Sequence, residues 1–186
     1  MNRSLGADHL HADRRGWFTH IIQLAVDGNP TWQEKLSYFA SGRNALHMAI
    51  LTEPYLQYIL EGRKTIETRF SISRMPPYKQ VNEGDIILLK ESGGPIIGVC
   101  EVSKAWFYRL DKKSWREIKE QFYFEISVED SKFWEAKRAA TYASLMRIRN
   151  AIRIEPITYV KRDMRPWVVL VPQGIGSMDD FVAPAT

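Results

Sequence analysis

The chain reads as an α+β fold: either an open α+β domain or a small barrel with flanking helices. Three observations carry this. Short apolar or alternating runs that suit strands recur along the chain, with a few helical stretches between them. Turn signals punctuate them, Ser92-Gly93-Gly94-Pro95 between two apolar runs being a hairpin signal. Neither a P-loop nor a GxGxxG accompanies them, so a βαβ nucleotide-binding sheet is not indicated.

Taken in order, residues 1–16 are polar and aperiodic and read as a mobile tail, without the apolar core of a secretory signal. His9 and His11 there are weak metal ligands at best, and no metal site is expected. Residues 17–45 read as two helices around Gly28-Asn29-Pro30, the second with capping-box spacing from Thr31 to Glu34 and a stop at Gly42. Two helices around a break would also suit helix-turn-helix DNA binding. The second helix is poor in basic residues for that role, so 1–45 is read as a tail and helical appendage packed on the main domain.

Leu46 to Leu51 follows as a strand, and Glu53 to Glu61 as a helix ended by Gly62. Thr65 to Phe70, Asp85 to Lys90 and Ile96 to Lys104 are strands. Ser114 to Phe122 is a helix with Ser114 and Glu117 at capping-box spacing, and Ser127 and Asp130 are placed to cap another that runs to about Tyr142. Leu145 to Glu155, Ile157 to Lys161 and Trp167 to Val171 read as closing strands. The main domain is thus 46–172, and 173–186 is a C-terminal tail. Trp134 and Trp167 are read as core.

Composition bounds the function. Apolar residues make up 45% of the 186, enough for a real core. The single cysteine, Cys100, excludes an internal disulfide or a cysteine-based zinc site, and its apolar neighbours mark it as a buried, inert thiol. No apolar run is long enough to span a bilayer, so a cytoplasmic protein without membrane partners is expected. The formal charge is +4. From Lys137 to Arg165, eight basic residues face two acidic ones, while the rest of the chain holds 18 basic against 20 acidic residues. In a strand, Met146, Ile148, Ile152 and Ile154 would share one face, and Arg147, Arg149 and Arg153 the other. Such a row of guanidinium forks suits phosphates. The alternatives are an ordinary solubilising face, or arginines paired with Glu129, Asp130 and Glu135.

The most informative segment is Gly62-Arg63-Lys64-Thr65-Ile66-Glu67-Thr68-Arg69-Phe70. Strand parity puts Thr65, Glu67 and Arg69 on one face and Ile66, Thr68 and Phe70 on the other. If the polar face lines a cleft, Glu67 holds Lys64 or Arg69 in place and the other cation meets a phosphate or carbonyl. On a solvated face the same charges would make a surface ion pair of little weight. Tyr55, at the preceding helix start, offers a face on which a base could stack. Glu91 and Ser92, at the hairpin, are candidates for a second carboxylate and a hydrogen-bond donor.

Gly62-x-Lys64-x-x-Glu67-x-Arg69 resembles the GxKxxExR signature of ASCH domains, which belong with the PUA-like β-barrels. The surrounding order is similar too, through Gly84-Asp85 to Ile154-Glu155-Pro156 and Arg165-Pro166-Trp167, so the resemblance spans roughly 46–172. It implies a PUA-like barrel with a cleft beside the signature, and an RNA-binding module holding RNA or a modified nucleotide at Lys64, Glu67 and Arg69. DNA ranks behind RNA, and no cofactor is expected. Some members are hydrolases. In the branch that cleaves acetylated cytidine, a Lys and a Thr act within this segment. Lys64 matches that Lys, but the Thr position, three residues on, holds Glu67. An amidohydrolase or ribonuclease using Lys64 and Glu67 is therefore the alternative reading. Oligomeric state is not legible.

Overall fold

The structure, a computed structural model, describes residues 13–26, 28–128, 131–160 and 164–174. His9, His11, Glu129, Asp130, Lys161, Arg162 and Asp163 lie outside the described residues, as does the C-terminal tail beyond Gly174.

Helix α1 (Arg14–Ala25) starts inside the stretch expected to be a tail. Asp13 caps it by accepting from Gly16 N, and Arg15 is buried, donating to Phe39 O, Asn44 O and Pro172 O. Nothing local announces that role, because all three acceptors are main-chain oxygens distant in sequence. Helix α2 (Pro30–Ala40) is capped by Asn29, whose side chain accepts from Trp32 N, with Pro30 in its first turn. The expected Thr31 cap is displaced by one that starts the helix earlier.

Strand β1 (Leu46–Leu51) leads to the short helix α3 (Tyr55–Leu60) and strand β2 (Ile66–Ser71). Strands β3 (Ile86–Glu91) and β4 (Ile96–Arg109) form the expected hairpin. Helix α4 (Lys112–Ile126) is capped by Asp111 in a reciprocal box with Ser114, so Ser114 is third in the helix and not its cap. Ser127 ends α4 in a left-handed conformation. Helix α5 (Ser131–Ala136) stops well before Tyr142, which instead opens the long strand β5 (Tyr142–Ile157); β6 (Trp167–Val171) closes the chain.

The six strands form one mixed sheet in the order β2-β5-β4-β3-β1-β6. Register shifts along the β4–β5 pair curl it into a half-barrel. Gly98 allows tight packing at the curl, since a Cβ there would lie 2.8 Å from Leu60 and 3.2 Å from Ile152 O. This is the expected α+β architecture with flanking helices.

Three apolar clusters stabilise it, each fully buried large side chain contributing about 1.5–3 kcal/mol. One joins Phe18, Ile22, Trp32, Leu36 and Phe39 of α1 and α2 to Leu46, Met48, Ile86 and Leu88 of the sheet. The N-terminal helices therefore share a core with the barrel. A second cluster gathers Leu56 and Ile59 of α3 with Leu89, Cys100, Val102 and Trp167. The third packs α4 against Ile66, Ala143 and Leu145. Cys100 is buried, and burial pushes its thiol up, in keeping with an inert residue. Among the described residues no helix is long and apolar enough to cross a membrane, and no cluster of His, Cys, Asp and Glu suits a metal ion.

The parity expected of β5 does not survive its irregularities. Met146 and Ile148 lie in the cluster with α3, whereas Ile152 and Ile154 pack with α1 and α2. Asn150 between them has φ 53°, and the pairing with β4 slips between Val99 and Glu101. One extra residue exchanges the faces of everything beyond it.

Candidate functional site

The signature segment is shaped by its glycine. Gly62 adopts φ 73° after α3, a conformation that costs a residue without a Cβ little. The chain then turns so that Lys64 N and Arg63 N both donate to Tyr58 O, and Thr65 N reaches Glu125 O of α4. Lys64, Glu67 and Arg69 converge. Lys64 and Glu67 are only 3% and 4% exposed. Lys64 Nζ donates to Ile66 O (2.8 Å) and Ile126 O (3.0 Å) and lies 3.6 Å from Glu67 Oε2. Arg69 Nε is 2.9 Å from Glu67 Oε1, an ion pair by distance although the N–H is not aimed at that oxygen. The Arg69 fork itself donates to Pro166 O and Ile50 O. Burial holds the Lys64 ammonium below the usual lysine range; Glu67 pulls it up and Arg69 pushes it further down.

These groups floor a cavity of about 350 Å³. Tyr55, Phe70 and Phe133 are its aromatic lining, Thr52 and Thr68 add hydroxyls, and Lys137 supplies a further cation. Tyr55 and Phe133 have ring centroids 6.3 Å apart, and Lys137 Nζ stands 5.8 Å from the Phe133 centroid. The cavity thus offers a carboxylate held between two cations, with aromatic faces beside it. It can accept a flat polar ligand that donates hydrogen bonds to Glu67.

Of the residues singled out in the sequence, Tyr55, Lys64, Glu67 and Arg69 are brought together here. Glu91 and Ser92 sit on the β3–β4 hairpin and do not line the cavity, though Ser92 N donates to the lining residue Leu51 through its carbonyl. The arginines of β5 do not form one open row. Arg147 pairs with Glu125 of α4 (2.6 Å), Arg149 forks onto Glu101 of β4 (2.9 and 3.0 Å), and Arg153 donates to Gln57 of α3. Glu101 is buried and also binds Lys35 and Asn150. The acidic partners are thus Glu125 and Glu101.

Sequence reasoning missed Phe70, Phe133 and Lys137 as cavity residues. Phe133 and Lys137 are four apart in sequence, a weak signal that one helical turn carries both. Trp134, read as core, is only half-buried. Trp167 is core, and its indole N–H donates to His47 Nδ1, so His47 Nε2 carries the proton shared with Asp85 at 3.1 Å.

The same architecture recurs in solved structures. The crystal structure of ASCH from Zymomonas mobilis is 14% identical, with a TM-score of 0.52 over 67% of this chain and 87% of that chain. A mutant of that protein with a serine replaced by alanine is also 14% identical, at a TM-score of 0.54 over 68% of this chain and 88% of its own. Among curated proteins none matches this chain. The family model of the ASCH domain matches residues 50–172, which hold the cavity and most of the sheet, and the chain belongs to the ASCH domain family.

Proposed function

We propose that this chain is an RNA-binding module that receives a nucleobase of single-stranded RNA in the cleft beside the signature strand. One observation carries the reading: Glu67 is fixed between Lys64 and Arg69 at the floor of a cavity lined by Tyr55, Phe70 and Phe133. A carboxylate so held accepts from the amino or imino group on a base edge, while aromatic faces accept the base plane. Lys137 is suited to the phosphate. Lys64 is a positioning residue, since its Nζ is committed to two carbonyls and sits 3.6 Å from Glu67, whose charge it helps to hold in place. Fluorescence-anisotropy titration with short single-stranded RNA across a salt series tests this. Binding that weakens with salt and falls at least about tenfold in Glu67→Gln or Tyr55→Ala is expected. Absence of binding at low salt would sink it.

A second reading, hydrolysis of an acylated nucleoside or of RNA, is favoured by the burial that eases deprotonation of Lys64. Lys64 would then act as general base beside Glu67. Incubation with acetylcytidine and with RNA, followed by mass spectrometry, decides it. Turnover lost in Lys64→Ala supports hydrolysis, and no turnover of either removes it.

A further inference from the structure

A second hollow of about 370 Å³ lies between α4 and α5, lined by Trp115, Lys119, Trp134, Glu135 and Arg138. Nothing in the signature cleft uses these residues. They are nevertheless coupled to it through rings. Phe70, which lines the cleft, stacks on Trp115 of the hollow at 5.2 Å with the planes 4° apart. Phe133, also in the cleft, meets Trp134 of the hollow edge-on at 5.3 Å. The two recesses are thus separated by a single aromatic wall. Cations mark both sides of it: Lys119 stands 5.2 Å from the Trp134 centroid, Arg138 lines the hollow, and the adjacent Lys137 lines the cleft.

Trp115 and Trp134 are half-buried and meet edge-to-face in this hollow, with centroids 6.2 Å apart. A purely apolar occupant would not need Lys119 and Arg138. A hollow with two indoles and two cations against one carboxylate suits a ligand that is aromatic and anionic together. Because the cleft is next door, the neighbouring nucleotide of the same strand meets both demands. The two indoles stand 81° apart, so its base would lie on the Trp134 face with the Trp115 ring at its edge, and its phosphate would pass Lys137 and Arg138.

We infer that the α4–α5 hollow is a second base-stacking subsite, for the nucleotide adjacent to the one whose base enters the signature cleft. This rests on the RNA-binding reading above and extends it from one nucleotide to at least two.

The test compares each of the four ribonucleoside monophosphates with the corresponding homodinucleotide, by calorimetry at fixed salt. For the best-bound base, the dinucleotide should bind at least about tenfold tighter, within the range of one base–aromatic stack. Trp134→Leu, which keeps apolar bulk and removes the indole face, should bring the ratio of the two affinities close to one. Arg138→Gln is exposed and should fold normally; it should lower the ratio and reduce its salt dependence. A ratio near one in the wild type, with monophosphate binding intact, overturns the second subsite and leaves the cleft standing. A high ratio untouched by both variants also overturns it. Failure of both ligand sets to bind brings down the cleft reading with it.

Discussion

Arg69, on one edge strand of the half-barrel, donates from Nη1 to Pro166 O, 3.0 Å away and one residue before the opposite edge strand. Its Nη2 donates to Ile50 O at 3.1 Å, on β1. Backbone pairing leaves β2 and β6 at opposite ends of the sheet order, and a planar fork spans the seam between them. Arg69 also covers the buried Trp167 ring, 5.3 Å from its centroid.

Lysine cannot reproduce two diverging donors from a single plane. Arg69→Lys should therefore destabilise the fold by about 1.5–3 kcal/mol, the worth of hydrogen bonds from a charged group. Urea denaturation followed by tryptophan fluorescence measures this. An unchanged midpoint would show the seam closes without the fork.

Lys64 makes stability depend on pH in a defined direction. Burial, partly offset by Glu67 and reinforced by Arg69, lowers its folded-state pKa below the unfolded 10.5. Between the two values the unfolded chain binds more protons, so this group's contribution to stability rises with pH across that window and levels off above 10.5. The difference in urea midpoint between wild type and Lys64→Met should trace that rise, because the variant lacks it.

Removing residues 1–45 should not release an independent barrel. The deletion uncovers Leu46, Met48, Ile86 and Leu88, which Phe18, Trp32, Leu36 and Phe39 cover. An exposed apolar patch of that kind drives association. Size-exclusion chromatography should show aggregation, with strong binding of an apolar dye. A monodisperse 46–186 fragment would contradict the shared core.

The arginines of β5 should differ in their effect on RNA binding. Arg147 and Arg149 are neutralised by Glu125 and Glu101, while Arg153 faces the uncharged Gln57. If the strand contacts phosphate, Arg153→Ala should reduce the slope of log affinity against log salt by up to about one, and Arg147→Ala and Arg149→Ala by less. Anisotropy titrations at several salt concentrations measure these slopes.

By itself, the sequence determined the local order. Alternation marked Thr65 to Phe70 as a strand, Gly62 marked the end of α3, and the spacing of Lys64, Glu67 and Arg69 placed three charged groups within reach of one another. These are readable because side-chain periodicity and turn conformation depend on near neighbours. Tertiary structure alone decided what those charges meet. Arg69 finds an acceptor 97 residues away, and Arg15 one 157 residues away, both main-chain carbonyls that any residue type could present. The change of face at Asn150 arises from the register of β5 against β4, so no pattern within β5 could announce it. Likewise Phe133 and Lys137 join the cleft only because α5 folds back beside β2. Side-chain identity encodes local geometry, whereas backbone acceptors and strand register exist only once distant segments have met.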